Sequence, residues 1–261
     1  MMYLTRTLFF GAVHRLDQSP TGMLRTMGHD YKIDITVKGK VNKDTGIVVN
    51  IVDIDNVIKD TLKKIDGKLL DDEVSFFKKN KPSVENLLLY FWSEMNELFT
   101  DAKLERIKIE QTPFTSGQIV GDDAMNVYVT KLFYFSTAHR LHSNYISDEE
   151  NIELFGKCNN LYGHGHNYKL EVTVKGVPDQ NTGVVTHYKK FEDIVNENVV
   201  ELLDHKHINA DLEIFKDVNP TSEMLLYVIW DLLYDKIPNL YKIGVWETEK
   251  NYFEFYGPDH V

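Results

Sequence analysis

The chain has one cysteine in 261 residues, so no disulfide can form within it and nothing in its fold rests on one. A lone thiol suits a reducing compartment, and the expected location is the cytoplasm. No apolar run is long enough to span a bilayer, so no membrane association is expected. The opening MMYLTRTLFFGAVHRL turns polar too soon for a secretory signal and matches a later internal segment, so it is expected to belong to the fold. Positive charge is also scarce. Twenty-nine Lys and Arg stand against 40 Asp and Glu, a net charge of −11. That balance argues against a nucleic-acid groove, because phosphate backbones require dense cationic side chains. Local cations remain sufficient for a small phosphorylated ligand. At 43% hydrophobic and 26% charged residues, the composition reads as globular.

What is present is concentrated between residues 139 and 166. His139 lies in FSTAHRL, and GKCNNLYGHGHNY sets Cys158 just ahead of His164 and His166. Residues two apart in an extended segment share a face, so His164 and His166 can aim both imidazoles at one ion. Gly163 and Gly165 remove side-chain bulk around them. His139, on an earlier strand-like stretch, is the natural third ligand. Three histidines leave the fourth tetrahedral position of Zn²⁺ open for water or substrate, the pattern of a catalytic rather than a structural site. A Gly-His-Gly-His run alone also fits a turn with solvated histidines. The nearby cysteine and LDHKH at 203–207 favour the metal.

The chain also repeats itself. YKIDITVKG at 31–39 parallels YKLEVTVKG at 168–176, with six of nine positions identical. In the same order, VHRL answers AHRL, DTGIVVN answers NTGVVTH and KLLDD at 68–72 answers ELLDH. PSVENLLLYFW then answers PTSEMLLYVIW, and RIKIEQT answers KIGVWET. A tandem duplication is expected, with units at 1–114 and 127–261 and a loop-like linker at 115–126. The first copy has lost much of the pattern. Met27 stands where His164 does, and the stretch carrying Cys158 is missing. The pairing sets Asp71–Asp72 against Asp204–His205, and Gln111 against Glu247. The first unit is expected to be structural.

Each half reads as two strands, two helices and two strands, an α+β arrangement. Ser147 with Glu150 predicts a capping box, and Gly156 a helix end. Thr221 or Ser222 predicts a second helix start. Phe191, Ile194, Val195, Val199 and Leu202 form one apolar stripe, and Leu225, Val228, Ile229 and Leu232 another; both are expected to be core.

FSTAHRL, SDEENIELFGKCNN, YGHGHNYK, TGVV, LLDHKHIN, PTSE and VWET occur in the order found in the 6-pyruvoyl-tetrahydropterin synthase family, which residues 127–257 resemble. The five-residue gap between Cys158 and His164 looks like the pyruvoyl-forming branch. The 6-carboxytetrahydropterin synthase branch of queuosine biosynthesis has a shorter gap, and a branch linked to folate synthesis has glutamate in the cysteine's place. The resemblance implies a tandem T-fold of two ββααββ units, whose sheets join edge to edge into barrels on oligomerisation. It implies conversion of 7,8-dihydroneopterin triphosphate to 6-pyruvoyl-tetrahydropterin with loss of triphosphate. His139, His164 and His166 match the zinc ligands and Cys158 the general base. Asp204 and His205 match a proton-transfer pair supplied by a neighbouring unit. Glu247 matches the carboxylate that anchors the pterin, with Thr221 and Ser222 beside the ring. Six units at two per chain imply a homotrimer. Two alternatives stay open, a 6-carboxy product and a non-catalytic pterin-binding scaffold. By default a lone cysteine is a buried thiol, a run like 204–207 a cationic helix end, and Glu247 a surface carboxylate.

Overall fold

Period-two burial organises the strands, because alternate side chains of an extended chain face opposite sides of a sheet. The structure, a computed structural model, describes residues 1–15 and 25–258. Strands β1 (Met2–Arg15) and β2 (Thr26–Gly39) pair antiparallel without a register shift, from Met2 opposite Gly39 to Arg15 opposite Thr26. Helices α1 (Ile51–Leu62) and α2 (Val84–Met95) follow, then β3 (Lys103–Thr112) and β4 (Thr115–Val120). The strand order is β1-β2-β3-β4, antiparallel throughout. Asn50 caps α1 and Ser83 caps α2, each side chain accepting a backbone N–H of the first turn. Ile54 and Ile58 of α1 are buried, as are Leu87, Leu88 and Phe91 of α2 and Ile33, Ile35, Ile107 and Ile109 of the sheet.

The same sequence of elements recurs. β5 (Val127–His139) is followed by α3 (Asp148–Phe155), β6 (His164–Gly176) and α4 (Tyr188–Val195). The two-residue β7 (Lys206–His207), α5 (Ser222–Leu233), β8 (Leu240–Thr248) and β9 (Asn251–Phe255) complete it. Here the order is β5-β6-β8-β9, with β7 parallel to β5. The chain divides into two compact units, residues 1–130 with 175–185, and residues 131–174 with 186–261. Each is α+β, as expected.

Three expectations are corrected. Residues 115–126, expected as a linker, contain β4, in which Thr115, Gly117 and Ile119 turn inward. A Cβ on Gly117 would stand 2.8 Å from Leu88 Cδ1 and 2.9 Å from Val84 Cγ1, so a glycine that reads as loop is there to let α2 lie close. Second, the Phe191 stripe ends on Leu203, not Leu202. Phe191, Val195, Val199 and Leu203 are buried, because a π turn (Asn196–Val200) widens the helix and moves the buried face on by one residue. In α5, likewise, Leu226, Trp230 and Leu233 join Leu225 and Ile229 in the core, while Val228 and Leu232 are half-buried.

The third correction concerns the repeat. Ser136 N–H donates to Asp204 at 2.7 Å, and His205 N–H to the Ser136 carbonyl at 2.6 Å. Gly11 N–H donates to Asp66 at 2.9 Å, and Gly67 N–H to the Gly11 carbonyl at 2.7 Å. His205 and Gly67 also share a left-handed backbone, with φ of 57° and 72°. Asp66–Gly67 is therefore the counterpart of Asp204–His205. Asp71 and Asp72 hold Arg15 instead, through its N–H and its guanidinium. The local match of LLD to LLD had obscured this.

The shifted stripe gives a test. Leu203→Ala should lower the unfolding free energy by about 2–5 kcal/mol and Leu202→Ala by clearly less, read by urea unfolding. The reverse order would place the unbroken helical stripe in the core.

Candidate metal centre

The end of β5 and the start of β6 bring three imidazoles together. His139 closes β5 and is buried, while His164 and His166 open β6 on the face that continues into buried Tyr168 and Leu170. One ligand atom from each of the three histidines lies within 4.8 Å of the others. His139 Nδ1 is 2.8 Å from the Pro220 carbonyl, to which it donates, so its Nε2 keeps a free lone pair. That Nε2 is 3.2 Å from His164 Nε2. Two nitrogens bound at about 2.0–2.1 Å in a tetrahedron are separated by about 3.3 Å, so this spacing suits one small ion.

Two further observations fit a metal. His166 Nε2 is buried and has no hydrogen-bond partner among the described residues, a cost that ligation at that atom offsets. Burial also pushes the His139 imidazolium down to about 4, and lowers His164, where His166 adds repulsion. Neutral rings are the form that binds a cation. The sequence expectation of a three-histidine cluster therefore stands on geometry.

Glu247, near the end of β8, faces this cluster. Its Oε1 lies 3.7 Å from His139 Nε2 and 3.9 Å from His166 Nε2. Ser222 Oγ donates to Oε1 at 3.1 Å, Tyr168 Oη at 3.4 Å, and Asn251 Nδ2 donates to Oε2 at 3.3 Å. Burial first, then the Glu247 charge, push the Tyr168 hydroxyl far up, so it remains a donor. Tyr168 is not among the site residues that the sequence suggests. The signal that could have found it is parity, since it continues the His164, His166 alternation; its ring packs 5.7 Å from that of His166. Thr221 spends its hydroxyl on the α5 cap, accepting Met224 N–H at 3.3 Å, while Ser222 reaches Glu247.

Cys158 sits half-buried in the short 3-10 turn after α3, whose capping box and Gly156 end are as expected. The Leu141 N–H donates to the Cys158 carbonyl at 2.9 Å, which ties this turn to the chain just beyond His139. Asp204 and His205 pair with each other. Asp204 Oδ2 accepts from His205 Nδ1 at 2.7 Å, and the Ser136 N–H, then His205, hold the Asp204 carboxyl below its usual range. The His205 side chain is 82% exposed, and among the described residues it makes no hydrogen bond to the three-histidine cluster. Gly163 is the other structural requirement. Its φ is +69°, and a Cβ there would stand 2.7 Å from the His139 carbonyl oxygen. Gly165 has ordinary room, its Cβ position lying 3.5 Å from the Thr137 carbonyl, so of the two glycines expected to clear space only Gly163 meets a close neighbour.

In the first unit His14 and His29 stack at 5.4 Å and Tyr31 is buried, while Met27 is 43% exposed in the place of His164. Among the described residues this unit has no group of three metal-binding side chains.

The pattern that defines the 6-pyruvoyl tetrahydropterin synthase family matches residues 3–121 and 128–258. A 6-pyruvoyl tetrahydrobiopterin synthase of Poecilia reticulata is 46% identical over 132 residues, 50% of this chain and 90% of that protein. Its counterpart in Homo sapiens is 44% identical over 131 residues, 49% of this chain and 90% of that protein. Among solved structures, the uricase of Arthrobacter globiformis spans 98% of this chain and 93% of its own at 8% identity and a TM-score of 0.51, a likeness of fold alone. Two family matches in one α+β chain make this a tandem T-fold.

Gly163→Ala should weaken Zn²⁺ binding about 10–100-fold, the usual cost of disturbing the support of a ligand, whereas Gly165→Ala should leave it near wild type. Titration of the chelator-treated chain checks this. Equal effects at the two glycines would contradict the geometry.

Proposed function

The chain belongs to the 6-pyruvoyl tetrahydropterin synthase family, and from that premise we propose that its second unit is a zinc-dependent lyase. Its substrate is 7,8-dihydroneopterin triphosphate, and its products are 6-pyruvoyl-tetrahydropterin and triphosphate. The observation that carries this reading is the meeting of three imidazoles, one of them with a buried nitrogen that has no other partner, with a carboxylate that three side chains orient. Loss of triphosphate from the substrate side chain and internal redox, the ring imine reduced as a side-chain carbinol is oxidised, balance without an external oxidant. Bound by His139, His164 and His166, zinc supplies a Lewis acid that acidifies protons beside the side-chain oxygens.

The chain's own residues divide the remaining work. A pterin presents a guanidine-like pair of N–H groups, and a carboxylate accepts such a pair. We assign that role to Glu247, held by Ser222, Tyr168 and Asn251, with Thr221 supporting Ser222 from the cap. Cys158 takes the side-chain proton, its thiolate being the active form. Asp204 holds the His205 Nδ1–H, which leaves Nε2 to exchange a proton. Because the exposed His205 makes no hydrogen bond to its own cluster among the described residues, we assign it to the site of a neighbouring copy in a homotrimer. The first unit, β4 included, is then structural and the second catalytic, and the expected setting is cytoplasmic.

Full-length chain loaded with zinc should release triphosphate from dihydroneopterin triphosphate and yield the pyruvoyl product, identified by mass spectrometry. A 6-carboxy product would move it to the other branch, and no turnover would leave a pterin-binding scaffold. Cys158→Ala should lower kcat about 10²–10⁴-fold with zinc content unchanged, since it removes a base and not a ligand. Loss of zinc in that variant would make Cys158 a ligand. Mixed chains carrying Cys158→Ala and His205→Ala should regain activity after co-assembly. No recovery would put the dyad to work within its own chain.

A further inference from the structure

One contact is made within the chain, and both of its halves are present a second time, unused. The first compact unit takes in residues 175–185. There the Ser83 hydroxyl donates to the Gly183 carbonyl at 2.6 Å, and the Val185 N–H donates to the Glu85 carboxylate at 3.1 Å. Glu85 and Asn86, in the first turn of α2, are buried, and so is Gly183. A Cβ on Gly183 would stand 2.7 Å from Asn86 Nδ2, so the loop seats tightly on the helix start.

The corresponding loop of the first repeat has the same internal geometry. Asp179 Oδ1 accepts the N–H groups of Asn181 and Thr182 at 3.0 and 2.9 Å, and Asn42 Oδ1 accepts those of Asp44 and Thr45 at 2.9 and 3.3 Å. Gly183 N–H donates to the Asp179 carbonyl and Gly46 N–H to the Asn42 carbonyl, both at 2.8 Å. Their φ angles are +75° and +74°. Yet Gly46 is exposed with nothing within 4 Å of its Cβ position, and Ile47 is 48% exposed where Val184 is half-buried.

The corresponding helix start is that of α5. Thr221 caps it as Ser83 caps α2, and Glu223 and Met224 occupy the places of Glu85 and Asn86. Glu223 and Met224 are both exposed, against two buried counterparts. Among the described residues neither the Val48 N–H nor the Glu223 carboxylate has a hydrogen-bond partner.

We propose that residues 41–48 of one copy dock on the first turn of α5 of a second copy, remaking between chains the contact that residues 179–185 make with α2. The Val48 N–H donates to Glu223, the Thr221 hydroxyl donates to the Gly46 carbonyl, and Ile47 covers Met224. Each copy offers one loop and one helix start, so the contact is heterologous and joins copies head to tail until a ring closes. The loop is already in its docked conformation, so little ordering opposes association. The docked loop also lies against the helix start whose Ser222 holds Glu247 and whose Pro220 carbonyl holds His139. The duplicated contact carries this, whatever reaction the second unit catalyses.

Sedimentation equilibrium of the full chain, with hydrogen exchange at Val48, tests it. Wild type should assemble with the Val48 amide protected. Glu223→Lys should weaken self-association about tenfold or more, the size expected for losing a hydrogen bond to a charged group, and Ile47→Asp about as much through lost apolar burial; each should deprotect Val48. Glu223→Gln keeps the acceptor and should assemble nearly as wild type. A monomeric wild type, or both disruptive variants assembling like wild type with Val48 protected, overturns the proposal. The two disruptive changes lie on opposite partners, so one that fails to fold leaves the other to decide. Assembly without turnover would remove the proposed reaction and support the contact.

Discussion

One hydrogen bond orders the centre, that from His139 Nδ1 to the Pro220 carbonyl. It satisfies a buried donor, selects the tautomer that leaves Nε2 free, and ties the end of β5 to the start of α5. Three consecutive residues then act in sequence. Pro220 orients His139, Thr221 caps the helix, and Ser222, carried into the first turn, reaches Glu247. Moving the helix start would therefore disturb His139 and Glu247 together.

The two units separate what a fold needs from what chemistry needs. Phe10 stacks on Tyr31 at 4.9 Å and Phe135 on Tyr168 at 5.3 Å, and Asp66 and Asp204 receive the same backbone donor. Those groups satisfy packing and buried backbone, and both units retain them. Met27, Gln111 and Gly67 stand where His164, Glu247 and His205 stand in the second unit. Each exchange spares the core. Gly67 even relieves the left-handed backbone that His205 must adopt.

The duplication, the strand alternation and the three-histidine cluster were legible because each depends on periodicity or on spacing within a few residues. The misreadings share a cause, which is tertiary context. Gly117 reads as loop until α2 lies on it, and the π turn cannot be seen in a stripe that fits an ordinary helix equally well. The counterpart of His205 was displaced by a stronger local identity five residues away, and only the paired backbone hydrogen bonds correct it. Tyr168 was not legible as the donor to Glu247, since that bond joins positions 79 residues apart.

The first compact unit includes eleven residues, 175–185, that belong to the second repeat by sequence. Glu85 and Asn86 are buried in that unit, so α2 needs a segment made long after it. During synthesis the first 130 residues therefore emerge as an incomplete body, with the α2 start still open when β4 is already available. Completion waits until residue 185 is free, so the two repeats share a late step in folding although each carries its own core.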